Sequence, residues 1–457
     1  PQRLPATQAM TIDSATVLYT CVLVIVAAFL AGFMPALNAT GARMQDAMRM
    51  DPRSATSSRR AVAARSVLVV SQLAVSVILL AGAVLLIRSW HRLQQVDLGI
   101  TPDRVLTFDI SIPRGRQPDA AVARRTLAAI EDRLAGTPGV EIAGAVSALP
   151  LVSAGPADGF VIEGRPEPSP GAPLWNARFL MTTPRLFPAL GIRLKRGRLF
   201  ADGDVAGRPL VAIINETTAQ LYWSGDDPVG RTIRYDPQQS IQIVGIVGDV
   251  RSMGATEPAP PAIYVPLAQA PRPPVYEGRS MTFVVRAAGD PAAIAPSARA
   301  AVASIDTGLP LANVRPMLEV VSAAGAQPRF TTVVMSLFAG AAFLLAGLGL
   351  YGILAYSVEQ RIREMGVRIA LGASGAEIFR LIVGSGMGLA LVGVLVGIPA
   401  ALALTRLMSG VLSNVASTDP VTYVAVVAML GVAAFLASYL PARRAIRVDP
   451  VVALRAE

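Results

Sequence analysis

The sequence predicts an α-helical transmembrane bundle carrying an α+β extracytoplasmic domain, and three observations lead there. Of 457 residues, 53% are apolar. They concentrate in five runs (15–36, 67–88, 330–357, 381–405 and 421–441), each long enough to cross the roughly 30 Å of a bilayer's hydrocarbon. The stretch 89–329 has instead the Pro- and Gly-rich, alternating composition of a folded polar domain. Charge supplies the third observation. Between Asp97 and Arg329 there are 23 basic and 22 acidic residues, against 18 and 9 in the rest of the chain, so the net charge of +10 flanks the apolar runs. Such flanking charge orients a protein in a membrane.

Taken in order, residues 1–14 form an external segment and 15–36 the first span. The linker 37–66 carries Arg43, Arg49, Arg53, Arg59, Arg60 and Arg65 against Asp46 and Asp51, which marks it cytoplasmic. An internal repeat is visible in one ungapped register: Asp13 falls on Asp419, Ala27–Ala31 on Ala433–Ala437, Pro35 on Pro441 and Arg49 on Arg455. The first span therefore reads as the last helix of a preceding, truncated unit of the same kind. The span 67–88 then runs outward and ends at Arg88-Ser-Trp90.

The domain 89–329 shows strand–helix–strand order twice. Leu106, Phe108, Ile110 and Ile112 alternate in a strand, and Asp119–Ala135 places Val122, Leu127, Ile130 and Leu134 on one helical face. A strand at Val140–Val146 follows. The same order recurs at Met281–Ala287, Pro291–Ile305 and Ala312–Met317, so two units pair with a β-rich insert (149–276) between them. Strands in the insert fall at Phe160–Ile162, Leu210–Asn215, Thr232–Tyr235, Ile241–Asp249 and Ile263–Val265.

Several function classes are excluded. The single lysine, Lys195, precedes Arg196, so the chain carries no Gly-Lys-Ser/Thr phosphate loop. One cysteine (Cys21) and one histidine (His91) leave no thiolate cluster, zinc site or Ser-His-Asp triad. His91 lies among Arg88, Trp90 and Arg92 as an interfacial anchor. Asn215-Glu216 reads as a helix cap, and Asp249 with Arg251 as a strand-end turn with an ion pair. Gly245 and Gly248 lack the helix-opening Gly-x-Gly-x-x-Gly of a dinucleotide site. No basic stripe suits nucleic acid. The chain is expected to be no enzyme, with no cofactor and no metal.

The segment 358–380 is the one the chain is organised around. Ile362, Met365, Ile369 and Ala373 recur at helical spacing beside the polar Arg361, Glu364 and Arg368, giving a short helix along the cytoplasmic membrane surface. Gly372 can end it, and Ser374-Gly-Ala-Glu377 has the form of a capping box opening the next span. On physics alone the segment is equally a solvated loop with positive-inside charge. In the span 381–405, Gly384 with Gly388 and Gly393 with Gly397 are spaced for close helix packing. Arg406 lies in the external loop 406–420, where Asp419-Pro420 caps the last span, 421–441. Arg443, Arg444, Arg447 and Arg455 hold the tail 442–457 inside.

The run REMGVRIALGAS, Arg363–Ser374, resembles the cytoplasmic loop of MacB/FtsX-type ABC transporter permeases, and RSVLVVSQLAVSVILLAGAVLLIRSW, Arg65–Trp90, resembles the first helix of permease units in the family's duplicated orphan branch. FPALGIRLKRGRLF, VAIINETTAQLYW, DPVGRTI, IVGIVGDVRS and PPAIYVPL, in that order, resemble the family's MacB-like periplasmic core domain. The resemblance implies that Arg361, Arg363, Glu364, Met365, Gly366, Arg368 and Gly372 form a coupling segment for a cytoplasmic ABC ATPase supplied in trans. It implies mechanotransmission: ATPase motion reshapes a periplasmic domain that handles an extracytoplasmic substrate, as in efflux, from the bacterial inner membrane. A second permease unit or homodimer, a periplasmic adaptor or substrate protein, and the lipid bilayer are the expected partners. The alternative is a non-exporting regulator or scaffold of a periplasmic partner such as a cell-wall hydrolase.

Overall fold

The computed structural model describes residues 55–166, 175–236, 239–269, 277–371, 373–407 and 419–446, together with Leu18, Tyr19, Cys21, Val22 and Ile25. The chain divides into two compact units, 1–69 and 70–457. In the first, the five isolated residues are helical and exposed, and the rest of the predicted span 15–36 lies outside the described residues.

Four helices are long and apolar enough to cross a membrane. They belong to α1 (Ala55–Gln94), α7 (Ala326–Gln360), α9 (Gly375–Leu407) and α10 (Pro420–Ile446), with the short α8 (Ile362–Ala370) between α7 and α9. Each runs past the expected span: α1 continues through Arg88-Ser-Trp90, and α10 passes Pro441 as far as Ile446. Intrahelical hydrogen bonds do not stop where hydrocarbon stops. The expected span end at Pro441 is therefore not the end of the helix, and Pro441 is buried within it.

Helix α10 organises the bundle. Thr422, Val426, Leu430, Ala434, Ser438 and Ala442, every fourth residue, are buried along one stripe. Most are small, which lets backbones approach closely where lipid offers no hydrophobic drive for association. Ser76 Oγ of α1 donates to Ala342 O of α7 at 2.9 Å, a further tie between spans.

The polar domain holds β1 (Val105–Ser111), α2 (Ala120–Ala135), β2 (Val140–Val146), β3 (Ala157–Ile162), β4 (Trp175–Thr182), α3 (Leu186–Leu190), β5 (Leu194–Gly197), β6 (Leu210–Asn215), α4 (Glu216–Tyr222), β7 (Thr232–Asp236), β8 (Gln239–Val247), β9 (Ala262–Pro266), β10 (Ser280–Ala287), α5 (Ala295–Ala303), β11 (Ala312–Pro316) and α6 (Met317–Ala324). Strands β11, β1, β10 and β2 form an antiparallel sheet in that order. Leu106, Phe108, Ile110, Phe283 and Val285 on this sheet share one buried cluster with Leu127 and Ile130 of α2 and Ala298 and Val302 of α5. Val105 and Val284 point the other way, into a second cluster with Phe187 of α3 and Met317 of α6. Helix α2 corrects one expectation: Ala123, Leu127, Ile130 and Leu134 are buried, whereas Val122 is 37% exposed. Residue 123 lies four before 127 and seven before 130, so it, and not 122, shares their face.

Strands β4, β3, β7, β8, β6 and β9 close on themselves, because β9 returns to pair with β4 in parallel. Closure leaves these strands no free edge in the ring. Phe160, Phe179, Ile214, Ile233, Ile241 and Ile263 from all six strands belong to the first buried cluster. The ring meets the four-stranded sheet through one strand pairing, Val146 with Thr182. Gly144 beside that junction has no room for a side chain: a Cβ there would lie 2.6 Å from the Leu186 backbone of α3. In the IVGIVG run, Gly245 faces Gly197 of β5, and a Cβ would strike the Arg198 carbonyl. That glycine serves strand packing.

Candidate functional site

The segment expected at the cytoplasmic surface folds as α8, set between the end of α7 and the start of α9. Its sequence alternates at the helical period, and the structure sorts it accordingly. Met365 is buried in a cluster with Val358 of α7, Ile378 and Ile382 of α9, and Ala442 and Ala445 of α10, with Ile369 packed against it. The short helix is thereby seated on the ends of three spans at once. On the outward side Glu364 accepts from Arg368 Nη2 at 2.5 Å, one turn apart, with both side chains about half exposed. Arg361 is also exposed.

The helix ends at Ala370, with the Leu371 N–H bonded to the Val367 carbonyl at 2.9 Å. Gly372 lies outside the described residues. Ser374 N then donates to Glu377 Oε2 at 3.1 Å, while Glu377 N donates to Ser374 Oγ at 3.3 Å. These reciprocal bonds are a capping box, and they fix the start of α9.

Gly366 corrects an expectation. It is buried, where the coupling reading had placed it against a partner. Two residues not singled out from the sequence take the outward place: Val367 is 41% and Leu371 83% exposed. They lie three and seven residues after Glu364, on the same face, so the helical period alone would have found them. The outward surface is therefore an ion pair flanked by two apolar side chains.

The packing glycines divide. A Cβ on Gly393 would lie 2.6 Å from Leu73 Cβ of α1, and one on Gly397 would lie 2.7 Å from Val77 Cβ, so this pair admits α1 closely. Around Gly384 and Gly388 no neighbouring element comes within 4 Å among the described residues. Gly386 packs in their stead, against Ser438 of α10 and Leu354 of α7. Residues 386, 393 and 397 are spaced by seven and four and share a face; 384 and 388 are turned about 200° from 386.

Asn215, Glu216, Asp249 and Arg251 have structural partners. Asn215 Oδ1 caps α4 by accepting from Thr218 N at 3.1 Å, and Glu216 pairs with Lys195 at 3.2 Å. The expected Asp249–Arg251 ion pair gives way to other partners. Asp249 accepts from Thr217 N and Oγ1, both at 2.8 Å, while Arg251 donates to the carbonyls of Ala255 and Glu257. The strand end turns Asp249 toward the first turn of α4 and Arg251 toward the loop that follows.

Comparison with known families matches the same two regions. Residues 336–450 match the family described as FtsX-like permease C-terminal, and residues 66–305 match the MacB-like periplasmic core domain. The chain belongs to the MacB/FtsX-type family of ABC transporter permeases. This permease is accordingly a membrane protein with a periplasmic domain. It is 24% identical over 276 residues to the macrolide export ATP-binding/permease protein MacB 2 of Aeromonas hydrophila, covering 59% of this chain and 42% of that one. It is 26% identical over 279 residues to the pyoverdine export ATP-binding/permease protein PvdT of Pseudomonas syringae pv. tomato, covering 59% and 42%. A permease of Bacillus subtilis, YknZ, is 26% identical over 269 residues, covering 58% and 66%. The permease thus spans well under half the length of the MacB and PvdT relatives. The crystal structure of the periplasmic region of MacB from Actinobacillus actinomycetemcomitans aligns with a TM-score of 0.33 and 15% identity, covering 47% of this chain and 90% of that one.

Proposed function

We propose that this permease transmits the motion of a cytoplasmic ABC ATPase, supplied in trans, to its periplasmic domain, from the bacterial inner membrane. The observation that carries the reading is the two-sidedness of α8. One face is anchored on α7, α9 and α10, and the other offers Glu364, Arg368, Val367 and Leu371 outward. An exposed apolar pair beside an ion pair, on a helix braced from behind, is suited to being gripped and pushed. The push has a continuous path. Helix α7 runs 35 residues without a break, about 50 Å at 1.5 Å per residue. Its first residue, Ala326, follows α6 of the periplasmic domain with only Gly325 between. We read that domain as two strand–helix–strand units flanking the inserted ring, a division the sheet order supports.

The relatives named as ATP-binding/permease proteins carry both functions in one chain, and they are named for export of a macrolide or of pyoverdine. By analogy this permease handles an extracytoplasmic substrate, with a second permease unit or a second copy completing the transmembrane part. The test is purification of the chain from its own cells in mild detergent, followed by identification of co-purifying proteins. The reading requires an ABC ATPase at near-stoichiometric yield, lost on Leu371→Asp. Its absence from a folded, monodisperse preparation contradicts it.

A further inference from the structure

A cavity of about 820 Å³ opens in the periplasmic domain between α2 and the closed ring. That size suits a small organic ligand. On α2, Ala121 and Ala128 are seven residues apart and put no bulk over it, Val205 stands opposite, and Leu267 adds an apolar wall. Two charged side chains from different elements line the same space, each with an unsatisfied atom. Glu131 of α2 is 5% exposed, and its Oε1 has no hydrogen-bond partner. Arg185, just after β4, pairs with Asp132 at 3.0 Å through Nη2, while its buried Nη1 has no partner. Buried polar atoms are normally satisfied, and an exception beside a cavity calls for a group that supplies the missing bonds.

The chemistry of that group follows from the charges already present. Arg124, Arg125 and Arg185 line the cavity against Asp132, Asp202 and Asp204, and burial shifts Glu131 toward its protonated, neutral form, so the charges already balance. A full charge on the ligand would stand uncompensated. A neutral group that donates to Glu131 Oε1 and accepts from Arg185 Nη1 completes both without adding charge. The amide carries such a donor and acceptor across one bond. We propose that this groove is a ligand site for small amide-bearing amphiphiles, short peptides among them, held by Glu131 and Arg185 with their apolar parts against Val205 and Leu267. The site rests on the permease reading only for the direction in which a bound ligand would be moved; binding itself requires no ATPase.

The test uses the full chain in lipid nanodiscs, with Cys21→Ser and a reporter Ala206→Cys at the rim of the groove. N-acetyl-leucyl-leucinamide is the probe, and the rate of maleimide labelling is the readout. Saturable protection is expected, about fivefold or more at roughly 3 mM probe. It should vanish with Ala128→Trp, which fills the groove from an exposed position, and weaken about tenfold with Glu131→Leu or Arg185→Met. An ester analogue, which replaces the N–H with oxygen, should bind about tenfold more weakly. No protection up to about 10 mM probe overturns the proposal. So does protection that Ala128→Trp leaves intact, or equal protection by the ester. Because the readout is binding in the absence of ATPase, its failure is distinct from loss of the ATPase in the co-purification.

Discussion

Arg88 of α1 and Asp419, the residue before α10, form an ion pair that ties the first and last described spans together at their outer ends. The same carboxylate caps α10, accepting from Thr422 N at 3.1 Å and Thr422 Oγ1 at 2.6 Å. Asp419 thus both pairs with Arg88 and caps the helix, whereas Arg88 only ties the two ends, through Asp419 and through Thr422 Oγ1 at 3.5 Å. Asp419→Ala should cost more than Arg88→Ala, by about 1 kcal/mol for the lost cap. Thermal unfolding in detergent checks this, and a double mutant should recover the coupling of the pair. Equal losses from the two single variants would contradict the dual role.

The glycines of α9 give a second, local prediction. Gly397→Leu should destabilise the bundle by about 1–3 kcal/mol, because its side chain must enter space held by Val77 and Ala74. Gly384→Leu meets open space in this chain and should leave the purified monomer's melting temperature nearly unchanged.

Glu131 makes stability depend on pH. Burial pushes its carboxyl up to about 7, against the opposing effects of Thr183 and Arg185. The folded state then holds a proton that the unfolded state has released, so stability is greatest below about pH 4.5 and falls as pH rises toward 7. The loss is on the order of 3 kcal/mol. Glu131→Gln should flatten this slope and be the more stable form at pH 8. Urea unfolding of the purified protein at pH 5 and pH 8 measures it, and an unchanged slope in the variant would contradict the assignment.

Membrane orientation gives a fourth prediction. In a Cys21→Ser background, Ser153→Cys should label from outside intact cells and Glu359→Cys only after permeabilisation. External labelling at residue 359 would reverse the whole arrangement.

The spans and the polar domain were legible because length, missing charge and flanking arginine act over twenty residues at a time. What was not legible depends on rotation or on distant pairing. The spacing of Gly384 and Gly388 matches that of Gly393 and Gly397, yet only the rotation of α9 against α1 decides which pair is used. Strand β5 reads LKRG and is exposed throughout, so no alternation announces it. Strand β4 ends in four consecutive buried residues, which hides its period. Closure of the ring by β4 with β9 joins residues more than eighty positions apart, a relation no local pattern carries. At the candidate coupling site the polar face was readable, whereas Val367 and Leu371 passed as ordinary apolar residues of a short amphipathic run. Their significance lies in exposure.

The central claim is that the outward face of α8 touches an ATPase. It is tested most directly by placing a photo-crosslinking amino acid at position 371 and, as control, at the inward-facing position 365, in cells. The account predicts a crosslink to an ABC ATPase from position 371 and none from 365, where the side chain is buried against Ile378 and Ala442. Position 371 giving no ATPase adduct in an inserted protein that still folds, or 365 giving an equal one, would contradict it.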